Sequence, residues 1–165
     1  MNKFYDALYS LAKTLDENDI EYMLSGSMAG KFYGLKREPH DLDIYIFEKS
    51  LPKINHLFSQ YITKPLYHCL DDFYDEYILE LEYMGVKVEL CIVDKGAIHS
   101  LLTDETISTM KFYKTQDRKL RDATIKVQAL AALIDYKHHN TNQEFAKNQI
   151  EDVEELLKIQ HQTKK

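Results

Sequence analysis

The chain has 165 residues, of which 44% are hydrophobic and 29% charged, with a net charge of -6. That length closes a hydrophobic core without disulfide staples, and that charge supplies no chain-wide basic field for nucleic acid, leaving only a local basic stretch at 111–121. Two cysteines outside any C-x-x-C pair, Cys69 and Cys91, and no apolar run near the ~20 residues of a membrane span predict a soluble cytoplasmic protein with reduced thiols.

The first ten residues, MNKFYDALYS, lack the apolar stretch of a secretory signal. Instead Phe4, Leu8, Leu11 and Leu15 recur at helical spacing and predict an amphipathic first helix. Residues 20–25 read as a short strand, Gly26-Ser27 as a turn, and 28–35 as a helix ended by Gly34 and Pro39. Residues 41–47 read as a second strand, with Asp41, Asp43, Tyr45 and Phe47 on one face and Leu42, Ile44 and Ile46 on the other. A second surface helix is expected over 53–61, and an acidic loop over 70–75. Residues 76–83 and 86–93 read as strands joined at Met84-Gly85. A short helical turn is expected at 98–102, and the Thr and Tyr of 107–113 favour a strand. From Ala123 the pattern reads as helical to the end, with a break around 138–142 and a last helix from Phe145 whose inward residues are Ile150, Val153, Leu156 and Leu157. The organisation is α-β-α-β-α-β-β followed by helices.

Two carboxylates one residue apart on a strand leave the same face, with Cβ atoms about 6–7 Å apart. Asp41 and Asp43 can therefore bracket one or two hard cations, whose charge offsets the repulsion between them. Gly26-Ser27 joins a strand to a helix. The glycine permits close approach, the serine offers a hydroxyl, and the helix start offers free N–H groups, which together suit a phosphate. Glu89, in the alternating run from Val86 to Ile92, is the candidate third acid, either as metal ligand or as general base. Glu80 and Glu82 compete with it for that role.

Gly26-Ser27, the thirteen residues 28–40, and Asp41-Leu42-Asp43-Ile44 together resemble the G-S…D-h-D-h signature of the DNA polymerase β-like nucleotidyltransferase superfamily. Arg37, four residues before the first aspartate, resembles an arginine of its lincosamide, aminoglycoside and toxin–antitoxin branches. The segment holding Gln128, Lys137 and Asp152 resembles their helical tail, in which a lysine on one helix and an aspartate on the next recur. Pro39, the use of Glu rather than Asp at position 89, and Asn148-Gln149 depart from those branches.

The resemblance implies an α/β fold: a mixed sheet flanked by helices, with a core over 1–122 and a helical segment over 123–165 packed on it. It also implies two Mg²⁺ ions on Asp41, Asp43 and Glu89, and an NTP substrate held by Gly26, Ser27 and Arg37. The implied reaction is transfer of a nucleoside monophosphate to a hydroxyl acceptor such as an antibiotic. Two alternatives are a toxin–antitoxin enzyme acting on tRNA or a partner protein, and a degenerate nucleotide-binding domain without turnover. Lys137 reads as a helix-surface residue, His40 as structural, and His138-His139 as too divergent in direction to share a metal.

Overall fold

The structure, a computed structural model, describes residues 2–141 and 146–165. Helix α1 (Lys3–Glu17) is capped by Asn2, whose side chain accepts from the Phe4 N–H at 2.9 Å. Ala7, Leu8, Leu11, Ala12 and Leu15 are fully buried, as the helical periodicity predicts. Next come β1 (Tyr22–Leu24), α2 (Gly26–Lys31), β2 (Leu42–Ile46), α3 (Leu51–Leu57), β3 (Ile62–Leu70), β4 (Tyr74–Tyr83) and β5 (Val86–Ile92). The remaining elements are β6 (Ala97–Ser100), β7 (Glu105–Ser108), β8 (Thr115–Leu120), β9 (Ala123–Gln128), α4 (Leu130–His139) and α5 (Ala146–Thr163).

The described residues form one mixed sheet in the order β7-β6-β4-β5-β2-β1-β9-β8, with β3 added on β4. Strand β2 runs parallel to β5 and antiparallel to β1. The β4–β5 hairpin closes through Met84 and Gly85, both at positive φ, as a two-residue hairpin turn requires. Alternation sorts the central strands. Leu42, Ile44, Ile46, Leu79, Leu81, Val88 and Leu90 join the main core with α1, whereas Met23, Tyr45, Ile78, Cys91 and Val93 form a smaller cluster on the opposite face. The functional side chains project from that second face.

The C-terminal half differs most from the sequence reading. Residues 123–128 are a strand paired in parallel with β1, so the helical tail begins at Leu130. Ala123, Ile125 and Val127 alternate inward, but the adjoining LAALI run gives the window a helical appearance. Strand β6 replaces the first three residues of the helical turn expected at 98–102, and β3 and β4 take half of the acidic loop, which shrinks to 71–73. In 107–113, β7 ends at Ser108 and a 3-10 turn covers Thr109–Phe112. On α5, Val153 and Leu156 are buried, but Ile150 and Leu157 are exposed because only a narrow stripe of this outer helix meets the body. Asn142 and Phe145 lie outside the described residues. No described helix is long and apolar enough to cross a membrane.

Candidate active site

Asp41 sits just before β2 and Asp43 within it. The parallel register sets Asp43 opposite Glu89 on β5. One carboxylate oxygen from each of Asp41, Asp43 and Glu89 can be chosen so that all three lie within 4.8 Å of one another. The sequence-predicted third acid thus joins the pair. Its rivals divide differently. Glu80 is Glu89's cross-strand partner on β4, and its carboxylate accepts from the Tyr67 hydroxyl at 2.7 Å, whereas Glu82 is exposed. Lys87 donates to Glu89 at 2.6 Å and lies 3.6 Å from Glu80, tying the two acids together.

The three acids crowd in a partly dry place. Burial first, then the charges of Asp41 and Glu89, push the Asp43 carboxyl up to about 8. Burial and the Glu89 charge also raise Asp41. Three carboxylates held this closely could hold a cation, and their all-oxygen donor set would suit a hard divalent ion such as Mg²⁺.

The turn after β1 is fixed from three sides. The Ser25 N–H donates to the Asp43 carbonyl at 2.8 Å, the Ser25 hydroxyl to Gln128 Oε1 at 2.7 Å, and Gln128 in turn donates to the Phe112 carbonyl at 3.0 Å. Gly26, at φ +65, then passes so close to Asp43 that a Cβ there would lie 1.9 Å from Oδ2. The glycine predicted to admit a phosphate also makes room for a carboxylate. Gly26, Ser27, Arg37 and His40 line one cavity of about 640 Å³ together with the three acids.

Arg37 reaches this cavity with its guanidinium engaged by Asp152 of α5: Nε donates to Oδ1 at 2.9 Å and the fork is completed at Oδ2. Lys137, expected on the helix surface, is instead only 2% exposed and donates to Asp152 at 3.0 Å and to Gln149 at 3.1 Å. The packing of α5 against α4 brings that pair together. Burial lowers the Lys137 pKa, and Asp152 opposes this only in part. Burial works to raise Asp152, but Arg37 and Lys137 outweigh it and hold it below the usual carboxylate range. Of the adjacent histidines, His138 is exposed, while His139 is buried against the Ser100 hydroxyl at 2.9 Å.

The cavity's far wall comes largely from the 66–76 segment and α4, which carry no readable motif in the sequence. It holds Tyr45, Tyr67, Tyr136, Cys69, Cys91 and, most unexpectedly, Glu76. Glu76 opens the strand read after the acidic loop, and it is 6% exposed and accepts from the Tyr45 hydroxyl at 3.2 Å. The one available signal was its alternation with Ile78 and Glu80 along β4. Both cysteines are free thiols.

No family model matches the chain, and no curated protein matches it. Solved structures do. A Thermotoga maritima protein described as a nucleotidyltransferase superposes with a TM-score of 0.68 at 19% identity, over 97% of this chain and 94% of its own. The lincosamide antibiotic adenylyltransferase LnuA, with lincomycin bound, gives 0.59 at 13% identity over 92% and 96%. ANT(2")-Ia in complex with adenylyl-2"-tobramycin gives 0.61 at 12% over 94% and 88%. The chain has the nucleotidyltransferase fold, in the form shared with these adenylyltransferases.

Proposed function

We propose that the protein is a divalent-metal-dependent nucleotidyltransferase that moves a nucleoside monophosphate from an NTP to a hydroxyl of a small acceptor. The observation that carries this reading is the meeting of Asp41, Asp43 and Glu89 within 4.8 Å, in one cavity with Gly26-Ser27. Asp41, Asp43 and Glu89 hold the cations, two Mg²⁺ by preference. Such cations would neutralise the triphosphate and the departing pyrophosphate.

Gly26 and Ser27 seat the triphosphate, and Arg37 borders it. The acceptor oxygen bonds to the α-phosphorus as the bond from that phosphorus to the β-bridging oxygen breaks, and pyrophosphate leaves with that electron pair. The acceptor's proton passes to a carboxylate of the triad, with Glu89 as the candidate base. A cavity of about 640 Å³ lies within the range of small-ligand sites and favours a small acceptor over tRNA or a protein. The antibiotic-bound neighbours support the same choice.

The test is incubation with each α-labelled NTP, Mg²⁺ and a panel of hydroxylated small molecules that includes lincomycin and tobramycin. Label transferred to an acceptor by the wild-type protein, and not by Asp43→Asn, supports the proposal. Absence of pyrophosphate release with every NTP, together with no nucleotide-dependent stabilisation, contradicts it.

A further inference from the structure

Glu76 is a buried carboxylate that faces the cavity, and the two cations of that cavity, Arg37 and Lys137, are engaged by Asp152 instead. Its hydrogen bond comes from the neutral Tyr45 hydroxyl, which lies 3.3 Å from the Tyr136 hydroxyl. The charges that act on it are carboxylates, Glu89 and Asp71, and no cation is among them. Burying a carboxylate in this way is costly unless something in the cavity compensates it. Elsewhere in this protein the compensation is internal: Asp152, equally buried, holds both Arg37 and Lys137.

Strand order says which substrate Glu76 would meet. The phosphate-side turn follows β1, the aspartates lie on β2, and Glu89 is on β5. Glu76 is on β4, beyond Glu89 and on the side away from Gly26. It is also four residues along β4 from Glu80, the partner of Glu89, or about 13 Å at ~3.3 Å per residue. That offset along the strand sets Glu76 apart from the acid triad and suits a distal group on the same acceptor. The surrounding walls are Tyr45, Tyr67, Tyr136 and Ile78, with Cys69 opposite on β3. Tyrosine faces attract organic cations, and a carboxylate among them is a natural seat for an ammonium.

We infer that Glu76 and these tyrosines form the acceptor subsite, and that the acceptor is an elongated hydroxyl compound bearing a protonated amine bound by Glu76. The substrate class rests on the nucleotidyl-transfer reading above; the amine seat does not. Loss of water pushes the Glu76 carboxyl up to about 7, so an entering ammonium also restores its ionised form.

The experiment titrates protein labelled at isoleucine methyls with aminooctanol and, separately, with its uncharged twin octanediol at pH 8, reading the Ile78 methyl in the cavity wall. No nucleotide or Mg²⁺ is present, so the result is independent of the transfer assay. The expected result is that aminooctanol binds at least tenfold more tightly than octanediol to the wild-type protein, and that Glu76→Gln, which keeps size and hydrogen bonding, abolishes the preference. Equal affinities in the wild type, or binding of neither compound, would overturn the inference, as would a preference that survives in Glu76→Gln. If the amine preference holds while the transfer assay fails, the nucleotidyl-transfer reading falls and the amine seat stands.

Discussion

A Cβ on Gly26 would lie 1.9 Å from Oδ2 of Asp43, 2.9 Å from its Cγ and 3.2 Å from its own Cβ. The turn and the acid strand are therefore fitted to each other: the chain bends at positive φ where the carboxylate needs the space. Gly26→Ala adds a left-handed strain of about 1–2 kcal/mol and drives the Asp43 carboxylate aside. The expected outcome is a melting temperature lowered by a few degrees and Mg²⁺-dependent ATP binding weakened by at least tenfold, both read by calorimetry. Unchanged ATP affinity would mean that the close approach has no bearing on the site.

The buried ion group on α4 and α5 has a different signature. Asp152→Ala leaves Lys137 charged and buried, and removal of one partner from such a pair costs about 3–5 kcal/mol. Lys137→Met leaves Asp152 bound to Arg37 and fills the space with an apolar chain, so its cost is smaller. Urea unfolding of the two variants should rank them in that order, and the reverse order would show that Lys137, not Asp152, is the centre of the group.

Stability of the metal-free protein depends on pH through Asp43 and Glu76. Both carboxyls are raised in the folded state, from 3.8 to about 8 and from 4.5 to about 7. The folded protein therefore binds these protons more tightly than the unfolded chain. The resulting stability is fully present below about pH 4 and is lost as pH rises to about 8. Melting temperature without Mg²⁺ should fall between pH 5 and 8 by more in the wild type than in Asp43→Asn, and Mg²⁺ should recover part of the loss at pH 8. Identical pH profiles for the two proteins would contradict the assignment.

Glu89 can be separated from its neighbours kinetically. Glu89→Gln removes a ligand charge and a proton acceptor while keeping size, so turnover should fall by about 10²–10⁴-fold with ATP binding retained in part. Glu82→Gln, exposed on the strand, should change little. A fall with Glu82→Gln equal to that with Glu89→Gln would remove the distinction.

The parts of this site that sequence conveys are those set by short-range pattern. Asp41, Asp43 and Glu89 were legible because strand alternation fixes which side chains share a face, and the parallel β2–β5 register then brings them together. Gly26-Ser27 was read as a turn before a helix, whereas both residues open α2, and the tight fit of Gly26 to Asp43 depends on the antiparallel β1–β2 pairing. Lys137 carries no local sign of burial, because its partner Asp152 arrives only when α5 packs on α4. Glu76 opens the strand read over 76–83, but its burial follows only when β3 and β6 pair along β4. The parallel pairing of β9 with β1 is equally non-local, and the alternation of Ala123, Ile125 and Val127 is masked by the helical run that follows.

The central claim is that Asp43 and its neighbours bind an NTP through a divalent cation, and thermal unfolding with ATP and Mg²⁺, separately and together, tests it most directly. A ligand at a hundred times its dissociation constant adds about 2.7 kcal/mol, or roughly 5–10 °C for a chain of this size. The wild-type protein should gain that shift only when both are present, and Asp43→Asn should gain none. An equal gain in both proteins, or a full gain from ATP without Mg²⁺, would contradict the account.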